Sequence, residues 1–139
     1  LYDVNNEIIG CIHAGWKGAY LDIIKNTISK IKKIGKNNKI YACVGPCIGR
    51  KNYEVDFIFQ KKFISKSLKN RKYFSKKNTH KRLFNLRKFV TDKLLELKVK
   101  VDQVDRDTFS ESSNFFSYRR SGKLRQKDYG RCISTICLF

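Results

Sequence analysis

Three short stretches of this 139-residue chain hold residue types and spacings that could do chemistry. The first is "HAGWKG", with His13 one of two histidines and Trp16 the only tryptophan. An imidazole can ligate a metal, act as a general base or donate a hydrogen bond. A core histidine satisfied by a backbone carbonyl is the plainer use of the same residue. Gly15 and Gly18 allow backbone or ligand to come close to it. The second stretch is "GPCIG": Gly45, Pro46, Cys47, Ile48 and Gly49, a turn holding the only proline. Such a turn can aim N–H groups at an anion, or simply join a strand to a helix. Cys47 is a candidate nucleophile, without any sequence feature that lowers its pKa. The third is "FFSYRR", in which Tyr118, Arg119 and Arg120 could clamp a phosphate or carboxylate. The same arginines could equally be a surface pair on an aromatic-anchored loop.

Regular elements must carry these stretches. Residues 7–13 predict a strand ending at His13. A helix should follow, with Leu21, Ile24, Ile28 and Ile31 on one face and Gly35 at its end. Residues 39–44 alternate as a second strand that runs into the proline turn. Val55, Ile58, Phe59 and Phe63 suggest another helix, and the basic residues 66–81 a loop or excursion. Leu86, Phe89, Val90, Leu94 and Leu97 mark an amphipathic helix, and 99–104 a strand. Residues 108–122 read as irregular. The closing run 130–139 is apolar at nearly every position, as in a strand buried in the middle of a sheet. Strands alternating with helices predict an α/β fold: one layered domain of mixed β-sheet covered by helices.

Composition narrows the classes. The length suits one domain rather than two, and the start within an apolar run is expected of a chain cut inside a larger domain. No apolar run has the length of a membrane span. The five cysteines form no CxxC pair; Cys11, Cys43, Cys132 and Cys137 are expected as small buried hydrophobes in a reducing, cytoplasmic setting. The net charge of +19 comes with 22 Lys against 9 Arg, 10 Asn and 14 Ile. These residues follow A/T-rich codons, so the charge is read as composition bias on a solvated surface rather than as a nucleic-acid site.

Taken in order, "HAGWKG", "ACVGPCIGRKNYEV", "TFSESSNFFSYRR" and "DYGRCISTICL" resemble the laccase-domain family once called multicopper polyphenol oxidases. Its members are now regarded as purine nucleoside phosphorylases. The resemblance covers essentially all 139 residues and corresponds to the C-terminal portion of such a domain. It implies one zinc ion, held by His13 together with a His and a Cys that precede this stretch in the family. Zinc is expected over copper, because one small His and Cys cluster cannot build the several copper centres of a laccase. The chain departs from the family pattern at Asp107, where Cys is common, at Asn85 and at Ser121.

The resemblance also implies phosphorolysis of adenosine, inosine, guanosine or methylthioadenosine to a free base and ribose-1-phosphate, with accessory deamination of adenosine. Attack at the ribose carbon needs a positioned phosphate, a task suited to Arg119 or Arg120 and the N–H groups of residues 45–48. Purine nucleoside and phosphate are thus the expected partners, in a monomer or homodimer with no membrane contact. Three other readings compete: copper-dependent phenol oxidation, a cysteine hydrolase using an upstream Cys with His13, and a basic nucleic-acid-binding module without catalysis.

Overall fold

Strands and helices alternate along the chain, and they gather into two compact units. The computed structural model describes all 139 residues. In chain order the elements are β1 (Tyr2–Asp3), β2 (Ile8–Ile9), α1 (Trp16–Tyr20), α2 (Ile23–Ile34), β3 (Ile40–Val44), β4 (Glu54–Asp56), α3 (Phe57–Lys66), a 3-10 helix (Leu68–Tyr73), β5 (Phe74–Lys76), β6 (Lys81–Phe84), α4 (Leu86–Glu96), β7 (Lys100–Gln103) and α5 (Tyr118–Lys123). The first unit comprises Leu1–Gly45, Val90–Val104 and Ser134–Phe139; the second comprises Pro46–Phe89 and Asp105–Ile133. The predicted class, mixed sheets with helices, is the one observed.

The first unit holds a four-stranded mixed sheet in the order β2-β1-β3-β7. β1 runs antiparallel to both neighbours, and β3 pairs in parallel with β7, Tyr41 opposite Lys100. β3 buries Ile40 and Ala42 and exposes Tyr41 and Cys43, the period-2 alternation of a half-covered sheet. α2 buries Ile24, Ile28 and Ile31, spaced four and three apart, so its apolar stripe supplies core to the same unit. A fully buried carboxylate ties the end of β1 to the residues that lead into β3. Asp3 accepts from Asn38 Nδ2 at 2.5 Å, Asn6 Nδ2 at 2.7 Å and the Lys39 amide at 2.9 Å. Burial alone would raise its pKa, but these donors outweigh burial and hold it below the ordinary value.

The second unit is organised by aromatic rings. Its antiparallel sheet runs β4-β6-β5, and Phe84 of β6 is wholly buried. Ring centroids lie 5.0 Å from Phe84 at Phe63, 4.9 Å at Phe74, 5.4 Å at Phe59 and 5.5 Å at Tyr53. Edge-to-face and offset arrangements of this kind add to area burial. α3 is capped by Asp56, whose side chain accepts from the Phe59 amide.

Several local expectations give way. The strand predicted to end at His13 is only Ile8–Ile9, because β1 offers two residues of ladder before the chain turns away. The single helix predicted after it is two, α1 and α2, separated where Asp22 takes a left-handed φ of 63°. Val55 belongs to β4, and α3 begins at Phe57. Residues 66–81, predicted as a loop, form the 3-10 helix, β5 and the start of β6. Within the stretch predicted irregular, α5 forms behind a Ser117 cap, the Ser117 hydroxyl accepting from the Arg120 amide. The largest difference is at the C-terminal end: residues 130–139 join no strand, and all but Gly130 are exposed. Apolar composition alone does not make a central strand when no neighbouring ladder receives its backbone groups. Cys43, on the open side of β3, and Cys132 and Cys137, in that unpaired stretch, are therefore exposed, as is Cys11.

Candidate functional site

His13 lies in an extended stretch between β2 and α1, with its side chain exposed. Gly15 is the N-cap of α1, and its carbonyl accepts from the Ala19 amide at 2.9 Å. A Cβ at Gly15 would stand 3.0 Å from His13 Nε2. The glycine therefore keeps that nitrogen uncovered while the chain turns into the helix. Two cavities of the first unit are lined without His13. One of about 280 Å³ is lined by residues of α1, α2 and the end of α4, and one of about 600 Å³ by Tyr2, Tyr41, Cys43, Lys100, Asp102 and Ile136 among others.

No three His, Cys, Asp or Glu side chains converge in the structure so as to hold a metal ion. A catalytic zinc takes about three protein ligands and an open position. These 139 residues alone do not fit such a site, and His13 is a single donor.

The turn after β3 is built around Asp107, the residue that departs from the common Cys of the family pattern. Gly45 has nothing within 4 Å of a would-be Cβ, so space does not demand glycine there. Gly49 differs: an added Cβ would lie 2.5 Å from Asp107 Oδ2. Asp107 Oδ1 accepts from the Gly49 amide at 2.8 Å and the Phe109 amide at 2.9 Å, and Oδ2 from Asn52 Nδ2 at 2.7 Å. Cys47 forms an isolated parallel bridge with Asp107, and its carbonyl accepts from the Thr108 amide at 3.2 Å. One carboxylate thus ties residues 47–52 to 107–109. Glu111 closes the second loop by accepting from the Asp107 amide at 2.8 Å and from Arg106.

Burial pushes the Cys47 thiol up, with the nearby Arg87 guanidinium pulling the other way and Asp107 and Asp105 adding to the rise. A thiol with a raised pKa is a weaker nucleophile at neutral pH. Arg87 donates to Asp105 and to the Arg106 carbonyl at 2.5 Å, while its buried Nε has no partner.

The two arginines of "FFSYRR" diverge. Arg120 donates to the carbonyls of Thr108 at 2.7 Å, Phe109 at 2.9 Å and Phe115 at 2.5 Å. Arg119 donates to the Glu54 carbonyl at 2.9 Å, and its guanidinium lies 5.3 Å from the Tyr53 ring centroid. Tyr53 is raised by burial, with Arg119 opposing and Cys47 adding to the rise, so Cys47, Tyr53 and Arg119 share one neighbourhood. Tyr118 is exposed and meets Tyr129 edge-on at 5.3 Å. Pro46, Cys47, Ile48 and the "FFSYRR" residues all belong to the second unit; His13 and Gly45 belong to the first. Arg120→Ala should lower stability by about 1–2 kcal/mol, because three carbonyls lose a charged donor. Thermal melts of the variant beside Arg119→Ala, which loses one such bond, check this ordering.

The chain matches the family described as multi-copper polyphenol oxidoreductase laccase over residues 1–139 and belongs to it. It is 38% identical to a purine nucleoside phosphorylase of Rickettsia conorii over 137 residues, 96% of this chain and 56% of that protein. It is 31% identical to the purine nucleoside phosphorylase YfiH of Escherichia coli, covering 94% and 51%. Among solved structures, the hypothetical protein YfiH of Bacillus licheniformis superposes with a TM-score of 0.78 at 28% identity, covering 91% of this chain and 48% of that one. The chain spans about half the length of the relatives it matches.

Proposed function

We propose that this chain is the C-terminal portion of one phosphorylase domain that cleaves purine nucleosides with inorganic phosphate. The products would be a purine base and ribose-1-phosphate. The observation that carries the reading is the ordered set of four motifs shared with that family, in which His13 keeps an open Nε2 beside Gly15. His13 is the one donor these residues supply toward the single zinc ion the resemblance implies. The remaining donors are proposed to lie in the additional polypeptide that the relatives possess.

Phosphorolysis breaks the glycosidic bond as phosphate oxygen bonds to the ribose carbon, through a transition state with positive charge on the ring. The anion must be held on one side of that carbon. Arg119 is the better placed of the two arginines for this, since Arg120 is spent on three carbonyls. Adenosine, inosine, guanosine and methylthioadenosine are the proposed substrates, and deamination of adenosine is a proposed accessory activity in cytoplasm.

The test is chromatography of base and ribose-1-phosphate formed from inosine and adenosine, with and without phosphate. Turnover that requires phosphate, falls with His13→Ala and shows a raised phosphate KM with Arg119→Ala supports the reading. Hydrolysis independent of phosphate and insensitive to a chelator would favour a cysteine hydrolase. Copper-dependent oxidation of a phenol without nucleoside cleavage would favour the older oxidase reading.

A further inference from the structure

The charge that the composition gives as one total is unevenly placed. The second unit carries 21 lysines and arginines against 6 aspartates and glutamates, a net +15, and the first 10 against 6, a net +4. The steepest part is residues 61–82, with ten lysines and arginines and no carboxylate among 22 residues. Lysine is spread over both units, ten in the first and twelve in the second, as a coding bias would leave it; the excess of the second is its nine arginines, all that the chain has. The lysines are diffuse, as expected, whereas the arginines and the carboxylate-free stretch are localised.

That stretch folds as one continuous piece: most of α3, the 3-10 helix and the β5–β6 hairpin. Nine of its ten cationic residues are exposed. Lys61 and Arg82 both lie on the ring of Phe57, at 4.8 and 4.9 Å from its centroid. The basic surface continues across β4, where Glu54 pairs with Lys77 and lies within electrostatic reach of Lys81 and of Lys123 on α5. At the start of α5, Tyr118 is 73% exposed, and Tyr129 beside it carries the Arg131 guanidinium 3.8 Å from its ring centroid. Clustered cations follow a flexible phosphodiester chain, and an exposed ring such as Tyr118 offers a face on which a base can stack.

We propose that this face of the second unit binds single-stranded nucleic acid through the phosphate backbone, without reading sequence. Eight of the ten cations in 61–82 are lysines. Lysine acts as a point charge rather than a planar fork matched to base edges, so the contacts select phosphate and not a base. A single strand can bend over a surface made from a helix, a 3-10 turn and a hairpin, where a stiff duplex touches fewer of the cations. The test of this surface reads binding rather than turnover.

The test is fluorescence anisotropy of a fluorescein-labelled oligouridylate of about 20 nucleotides, titrated with the chain across about 50–300 mM NaCl. Lys69→Gln, Lys76→Gln and Lys81→Gln together remove three charges from the surface. Lys25→Gln, Lys30→Gln and Lys33→Gln together remove three from α2 of the first unit. The first triple should weaken binding at least about tenfold near 100 mM salt and flatten the salt slope by about 2, and the second should weaken it by less than about threefold. Equal losses in both triples, no binding by the unaltered chain at the lowest salt, or tighter binding to phosphatidylserine vesicles than to the oligonucleotide would each overturn the proposal. Circular dichroism melts verify folding. If the surface triple does not fold, Lys76→Gln and Lys81→Gln singly should each weaken binding by about threefold.

Discussion

Asp107→Ala is expected to destabilise the protein by about 2–3 kcal/mol, a fall of roughly 10 °C in Tm. The carboxylate receives two amides and one side-chain amide, and its loss leaves all three without their acceptor. Gly49→Ala should destabilise through the same contact, since its Cβ would collide with Asp107. The double variant should then lose less than the sum of the two. Burial alone would raise the Asp107 carboxyl, but donors from Gly49, Asn52, Phe109 and Ser110 outweigh it and hold it below the ordinary value. A depressed folded pKa gives stability that is complete above the unfolded value, near about pH 4, and is lost as pH falls through the lower folded one. Acid unfolding should therefore cost the parent chain more stability than it costs Asp107→Asn. Melts at a series of pH values decide this, and parallel curves for the two proteins would remove the carboxylate from the account.

Phe84→Ala should be more severe, about 3–5 kcal/mol. Phe84 has no exposed surface and touches rings from α3, β5 and α4, so its removal opens a cavity that stiff aromatic neighbours fill poorly. In urea the midpoint should drop by roughly 2 M. A loss of this size can exceed the stability of a marginal domain. Phe84→Leu, which keeps most of the volume, should cost only about 1–1.5 kcal/mol and remain measurable. A midpoint within error of the parent for both would mean that the ring cluster does not hold the second unit together.

The long periodic elements were legible in the sequence. α2 and α4 follow from apolar residues at helical spacing, and β3 from alternation with a proline turn behind it. β1, β4 and β5 have two or three residues each, too few for a period to emerge, and their existence depends on partners distant in the chain. The break at Asp22 was hidden because Asp tolerates a left-handed φ more than most residues yet rarely takes it, so its presence alone does not mark a break. Of the candidate site, the motifs located His13, the Gly-Pro turn and the two arginines. They could not divide the arginines' tasks, because whether a guanidinium meets carbonyls or a ligand depends on which loop folds across it. Asp107 was visible as a residue and invisible as an anchor, since its donors at Gly49 and Asn52 lie more than 50 positions away.

The residues after Arg131 bear on how the molecule behaves in concentrated solution. Cys132 to Phe139 contain no charged side chain and no proline, and every one of them is exposed outside any ladder. An uncharged β-prone segment with unpaired backbone groups is a template on which an identical segment can stack. The opposing force is colloidal: molecules carrying +19 repel one another, and the range of that repulsion shrinks to about 10 Å at 0.1 M salt. Light scattering across a salt series is therefore expected to show little association at low ionic strength and more at high, where repulsion no longer holds residues 132–139 of separate molecules apart.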